Sequence, residues 1–279
     1  DVIYLTKKEN VLDDVVIVAD VSMRKKYLKI FREHFLGITK AGKSCEIMNE
    51  DDIHLHFDDE NNRLVASSDK PILIKNKYLK YDVKFTLIDF YVEYFSPPYR
   101  SSGVINVTQG NSFSGFVNNL LDRGNTFVQG TTSFVDLDPN NKGIKKRRDK
   151  VYESSSMSFF KKLSNNTLTE SKYRVFYRSV QIDPAAYLSV KDTLTMKKVT
   201  LLFKPQDDDL SELEDGRQIK GFVDILDDKK ERSAVLFLTD SFLVDQCGNI
   251  NTIDKLLFSG YLGERRIGDL LPLDYEPSH

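Results

Sequence analysis

Tryptophan is absent from the 279 residues of this chain, cysteine occurs twice, and histidine four times. No apolar stretch approaches the roughly 20 residues that a membrane-spanning helix needs. Two cysteines, Cys45 and Cys247, are too few for a disulfide scaffold and lack zinc or redox spacing. That leaves one long-range bridge or two thiols, and the reading favours two buried, reduced thiols. An excess of charge is also missing: 40 Lys and Arg against 42 Asp and Glu give a formal net charge of -2. Such a balance argues against nucleic acid as a partner, because tracking phosphates needs net positive charge or a concentrated basic face. No basic segment followed by an apolar one opens the chain at Asp1. This leaves the compartment open, since a mature export product would lack such a segment too.

What is present leans toward β structure. There are 18 Phe and 13 Tyr, in a chain long enough for one large domain or two modest ones. At the start, Val2 to Leu5 and Val15 to Val18 are short β-branched runs around a polar turn, expected as strands. "SMRKKYLKIFREHFLG" then predicts a helix. Ser22 stands as its cap, Tyr27, Leu28, Phe31 and Phe35 share a face, and Gly37 sits where a left-handed C-terminal residue is wanted. Beyond it the period shifts to two, with strands expected at 53–58, 63–68, 72–75 and 80–95 and turns at Asp58 to Asn62 and Ser68 to Pro71. This pattern predicts a four-stranded antiparallel meander with one buried face. The Gly-, Asn- and Ser-rich stretch that follows suggests an extended loop. A single helix is expected over 145–164, and further strands at 173–181, 199–204, 218–225, 233–239 and 255–260.

Few residues suggest chemistry. His54 and His56 flank Leu55 and share a strand face with Asp52, a spacing found in metal sites, but the same pattern describes a polar face opposite Ile53, Leu55 and Phe57. No acyl-transfer triad follows from Ser114-Gly115 or Ser259-Gly260, and Cys45 near His34 in sequence says nothing about reach. The acidic run from Asp207 to Asp215 lacks calcium-loop spacing and reads as an exposed turn. Glycosidase carboxylates leave no fixed spacing, so a pair cannot be read. Lys145, Lys146, Arg147, Arg148 and Lys150 read as a solvated helix start, with the ordered helix beginning nearer Asp149 to avoid opposing its dipole. No catalytic, cofactor-binding or metal-ligating residue is assigned, and no cofactor is expected.

Three blocks carry a resemblance. The opening "YLTKKENVLDDVVIVAD" resembles the last strands of a carboxypeptidase-regulatory-like β-sandwich. Phe35-Leu36-Gly37, Cys45, Ile47, Asn49, Pro71, Asn76, Leu79 and Tyr81 match the pattern of an uncharacterised Bacteroidetes cell-envelope family carrying that domain. "FFKKLSNNTL" and the closing "LLFSGYLGERRIGDLLPLDYEP" resemble its later blocks, with Phe160 where the pattern has Leu. The resemblance implies residues 1–20 as terminal strands of that sandwich, or a linker to it. Residues 21–279 would then be a family-specific region, subdivided near 96–145. It also implies a periplasmic or outer-membrane-associated location, with which Asp192-Thr193-Leu194, similar to an O-glycosylation signal of that phylum, is compatible.

The resulting expectation is an α+β fold, mainly antiparallel β-sheet with a few packed helices. Its expected role is that of a non-enzymatic envelope scaffold or binding protein, with a protein or glycan partner, no nucleic acid and no transmembrane segment. The alternative is a hydrolase of envelope polymer or glycan using an unidentified carboxylate pair. The tail "LLPLDYEP" is expected to be an ordered strap, its prolines favouring extended backbone and its apolar side chains lying in a groove.

Overall fold

Phe31 and Phe35, fully buried, lie one turn apart on α1 (Asp14–Leu36), and their rings stack with centroids 4.8 Å apart. The computed structural model describes residues 14–94, 125–178, 180–202 and 217–278. The helix ends as its sequence predicts: Gly37 has φ +90° and its N–H bonds to the Glu33 carbonyl at 3.2 Å. Its start differs from expectation. Val15 to Val18 belong to α1, and Ser22 lies inside the helix instead of capping it. A four-residue β-branched run carries no period long enough to separate strand from helix. The first expected strand, Val2 to Leu5, lies outside the described residues.

The sheet under α1 is an antiparallel meander of four passes, three of which were expected. The first pass joins β1 (Cys45–Ile47) and β2 (Ile53–Asp58) end to end, and the second joins β3 (Arg63–Ser68) and β4 (Ile72–Asn76). Cys45 faces Asn76 and Ile53 faces Ser68, so one register runs through both halves. Residues 68–71, expected as a hairpin turn, are therefore an interruption within a pass. The reason is local: Asn49 donates to the Pro71 carbonyl at 3.1 Å and accepts from Leu73 N–H at 2.8 Å, while Ser68 Oγ donates to the Asp52 carbonyl at 3.0 Å. Side chains replace the ladder where it breaks. The third pass is β5 (Tyr81–Glu93) and the fourth β6 (Asn125–Asp136), which occupies part of the expected loop. A bulge between Leu87 and Asp89 keeps Phe90 and Val92 on the face that Tyr81, Val83 and Phe85 bury.

The expected single helix is two, α3 (Lys142–Glu153) and α4 (Ser156–Ser164), with α2 (Lys40–Lys43) earlier in the chain. Ser155 separates them by accepting from Ser158 N–H at 3.2 Å as an N-cap. Val151 and Tyr152 of α3 join the core under α1, whereas Phe159, Phe160 and Leu163 of α4 join a second core. That second core lies between a five-stranded and a three-stranded sheet. The first holds β7 (Arg174–Tyr177), β8 (Val180–Gln181), β11 (Gly221–Leu226), β12 (Arg232–Phe237) and β14 (Leu256–Ser259), in the order β14-β12-β11-β7-β8. The second has the order β13-β10-β9, with β9 (Leu188–Asp192), β10 (Lys197–Leu201) and β13 (Ser241–Val244). Sequence period missed β1, β9 and β13, and the expected strand at 173–181 is a hairpin turning at Arg178, φ +47°. Strand exceeds helix, and every strand pairing among the described residues is antiparallel. No helix among the described residues is long and apolar enough to cross a membrane.

Candidate functional site

After the short helix α5 (Gly260–Gly263) the chain leaves the second core and crosses back over the first. A 3-10 turn at Ile267–Asp269 docks against the end of α1 and against α2. Close backbone approach demands glycine there: a Cβ on Gly268 would lie 2.4 Å from Gly42 Cα and 2.6 Å from the Leu36 carbonyl oxygen. Asn76 fastens the turn by donating to the Gly268 carbonyl at 2.9 Å, while accepting from Leu79 N–H at 2.9 Å. Thr39 Oγ1 donates to Asp269 Oδ2 at 2.7 Å, and Arg265 Nη1 lies 3.4 Å from Asp269 Oδ1. Burial pushes the Asp269 carboxyl above its ordinary range, against the opposing pull of Thr39 and Arg265.

The strap then runs along α3. Leu271 and Tyr275 are buried, whereas Leu270 and Leu273 are exposed, so the tail is ordered but hides two of the four apolar side chains expected to pack. A turn explains Leu273: Tyr275 N–H bonds to the Pro272 carbonyl at 2.9 Å, which leaves Leu273 and Asp274 at the exposed tip and returns Tyr275 to the core. Tyr275 OH donates to Asp149 Oδ1 at 2.6 Å, Ser278 N–H donates to the same oxygen at 3.1 Å, and Lys145 Nζ sits 4.3 Å from the Tyr275 ring centroid. Burial pushes Asp149 upward, yet the hydrogen bonds from Tyr275 and Ser278 and the charge of Lys145 outweigh it and hold the carboxyl below its ordinary value.

The basic run is solvated only in part: Lys146, Arg147 and Lys150 are exposed, whereas Arg148 is buried and Lys145 half-buried, and the helix begins before the run, not nearer Asp149. Asn141 caps α3, its Oδ1 accepting from Gly143 and Ile144 N–H at 2.9 and 3.2 Å, so the helix includes all five basic residues. Arg148 is buried and donates to both Asp136 oxygens at 2.6 and 2.7 Å, to the Leu79 carbonyl at 2.9 Å and to the Lys80 carbonyl at 3.1 Å. Its guanidinium also lies 3.9 Å from the Tyr81 ring centroid. Arg147 lies over the Tyr78 ring. Neutralisation by Asp136 and Asp149 offsets the unfavourable dipole placement that the sequence suggested.

Other sequence candidates are dispersed. His54 and His56 are exposed on the open side of the sheet, and His54 Nε2 lies 4.0 Å from Asp69 Oδ2. No group of three His, Cys, Asp or Glu placed to hold a metal occurs among the described residues. Both cysteines are free and half-buried. Cys45 Sγ donates to the Ala41 carbonyl at 3.3 Å, and burial followed by the Asp269 charge pushes the thiol up to about 12, which makes it a poor nucleophile. His34 does not orient it; His34 Nδ1 lies 2.6 Å from Thr126 Oγ1. Ser259 is buried at the end of β14, and Ser114-Gly115 and the acidic run 207–215 lie outside the described residues.

One groove, of about 600 Å³, lies between the strap and the second half of the molecule. Leu273 and Asp274 form one wall, Leu194 and Thr195 of the β9–β10 turn another, and Asp245, Gln246 and Cys247 a third. Asn249 ties the strap to the loop after β13, its Nδ2 lying 2.8 Å from Asp245 Oδ2 and 2.9 Å from the Leu273 carbonyl oxygen. Asp245 Oδ1 also accepts from the Cys247 and Asn249 N–H groups, both at 2.8 Å. Sequence reasoning passed over this loop, although "DQCGN" carries the Asp, Gly and Asn of an Asx-type turn. A second hollow of about 380 Å³, between α1 and the β2–β3 hairpin, is lined by Lys26, Tyr27, Ile30, Phe57, Leu64 and Tyr94 and holds no carboxylate. Compared with family models, curated proteins and solved structures, the chain has no significant match to any of them.

Proposed function

We propose that this chain is a non-catalytic scaffold or binding protein of the cell envelope, periplasmic or outer-membrane associated, whose partner is a protein or glycan. One observation carries the reading. Most single residues named in the resemblance, with Tyr275 of its closing block, serve to fasten the strap and the sheet beneath it. Gly37 ends α1 beside Arg266, Asn49 bridges the sheet's interruption, Asn76 holds Gly268, and Leu79, Tyr81 and Tyr275 are buried around α3. Such residues maintain a surface; none of them is presented to a substrate. Of the two carboxylates that line the groove, Asp245 is engaged by three hydrogen bonds within its own loop, a structural employment that does not suit an acid that must exchange protons.

Titration calorimetry with soluble envelope peptides and glycan fragments, paired with mass analysis of the same mixtures, tests this. Saturable binding without new products is the expected result. Release of shortened fragments that disappears in both Asp245→Asn and Asp274→Asn would replace the proposal with a hydrolase. Fractionation of the producing cells tests the location, and recovery in the soluble cytoplasmic fraction would remove the envelope assignment.

A further inference from the structure

We infer that the groove beside Leu273 docks an extended peptide segment in which apolar side chains alternate with basic ones. The inference rests on the binding-protein reading above and names the partner's chemistry at one site. The groove is an open hollow of about 600 Å³ on the surface.

The lining is apolar at two points and acidic at two others. Leu194, at the tip of the β9–β10 turn, is fully exposed, and Leu273 is 66% exposed. Leaving two lining leucines in water forgoes burial that an apolar partner side chain would restore. Each leucine stands at the tip of a turn, closed by Thr193 and Met196 in one case and by Pro272 and Tyr275 in the other, where a polar residue would serve the fold as well. The same lining includes Asp245 and Asp274. Glu276 is close enough to join these two in raising the Cys247 thiol, after burial, against the single opposing charge of Lys161. The local field is therefore negative, which favours Lys or Arg on the partner and disfavours an acidic peptide.

The lining also separates peptide from glycan. Sugar rings are held by flat aromatic faces together with polar groups, and the groove's lining contains no aromatic side chain. Exposed leucines in the lining suit an aliphatic side chain, and the carboxylates of the same lining suit an ammonium or guanidinium group. The walls are tied before any partner arrives. Asn249 links Asp245 to the Leu273 carbonyl, and Tyr275, two residues further on, is anchored on Asp149. A docked segment would thus avoid much of the ordering cost that weakens binding to mobile surfaces.

The test uses the full chain and three fluorescein-labelled six-residue peptides: alternating Leu and Lys, alternating Leu and Glu, and alternating Ser and Lys. Anisotropy titrations should show saturable binding of the Leu-Lys peptide alone. Asp274→Lys, and separately the double substitution Leu194→Ala with Leu273→Ala, should each weaken it by about 10-fold or more, with melting temperature unchanged. These side chains are exposed, so the variants remove the surface without removing the fold. Equal binding of the Leu-Glu peptide, or Leu-Lys binding untouched by both variants, would overturn the inference. If soluble envelope oligosaccharides bind and lose affinity in the same variants while no peptide does, the peptide assignment falls and the binding-protein reading stands. Production of cleaved fragments would remove that reading itself.

Discussion

The four-pass sheet under α1 and the five-stranded sheet of the second half are both antiparallel, but they are covered differently. The first has one dry face. Ile53, Ile72, Ile74, Val83, Phe85 and Phe90 pack beneath α1, while His54, His56, Lys84, Thr86 and Ile88 face outward and are exposed. In the second, the central strands β11 and β12 are buried on both sides. Val223, Ile225, Val235 and Phe237 meet α4 and the three-stranded sheet, and Phe222, Ala234 and Leu236 join Tyr177 and Ile219 in a separate cluster on the reverse. Covering a sheet once leaves a binding-sized surface on the other side; covering it twice makes a rigid body. The strap begins at the rigid body and is spent on closing the singly covered one.

Removing residues 265–278 should have the largest effect. Ile267, Leu271 and Tyr275 are all buried in the first core, and each such side chain contributes roughly 1.5–3 kcal/mol before ordering costs are subtracted. Hydrogen exchange of the truncated chain should show protection lost around α1, α3 and β4 and retained in β11 and β12. Gly268→Ala should imitate much of this, because its new methyl group would meet the backbone of Gly42. Uniform loss of protection would mean that the two halves unfold as one unit, and the comparison would fail.

Next in size is a pair of substitutions on the two sheets. Phe237→Ala removes a fully buried ring stacked 5.8 Å from Phe242 and should cost about 3–5 kcal/mol. Ile88→Ser, on the open face where Ile88 is 63% exposed, should change stability by less than about 0.5 kcal/mol. Urea denaturation measures both. A large loss from Ile88→Ser would reveal a covering on the supposedly open face.

Arg148→Met comes third. The substitution keeps some of the stem's packing on Tyr81 but leaves the Leu79 and Lys80 carbonyls and Asp136 without their shared donor. Asp136 retains partial solvent contact, so about 3 kcal/mol is expected, at the lower end of the range for a broken buried pair. A change below about 1 kcal/mol would show that water replaces the guanidinium freely.

How much was legible follows from the same contrast. Where one face is wet, alternation writes itself into the sequence, and β2 to β5 were found at nearly their observed limits. The interruption at residues 68–71 was read as a turn because Ser, Asp, Lys and Pro look alike in a turn and in a break bridged by Asn49. In β6 the run Gly130, Thr131, Thr132, Ser133 supplies too little apolar contrast to mark a strand, although Gly130 must be small beside Phe85. The strap was legible as a strap, but its register was not: which two of Leu270, Leu271, Leu273 and Tyr275 turn inward depends on Asn76 and Asp149, far away in the chain. The groove could not be read at all. Its walls come from three separated segments, and its acids carry no spacing.

The smallest loss expected from breaking a buried contact is that of Tyr275→Phe, and pH gives it a signature. The substitution keeps the ring beside Tyr152 and removes the hydroxyl that donates to Asp149 at 2.6 Å. A hydrogen bond to a carboxylate contributes about 1.5 kcal/mol or somewhat more when partly buried. Asp149 is held below its ordinary value in the folded chain, so its contribution is fully present above its unfolded pKa, near 3.9, and is lost as pH falls through the lower folded value. Tyr275 titrates far above neutrality, burial and then Asp149 both pushing it upward, so the phenol remains a donor throughout this window. The stability gap between the native chain and Tyr275→Phe should thus be constant from about pH 5 to 7 and close on acidification below about pH 4. Urea midpoints across that range measure the gap. A gap that persists once Asp149 is protonated would assign the loss to ring packing, and the strap would then be held by apolar contact alone.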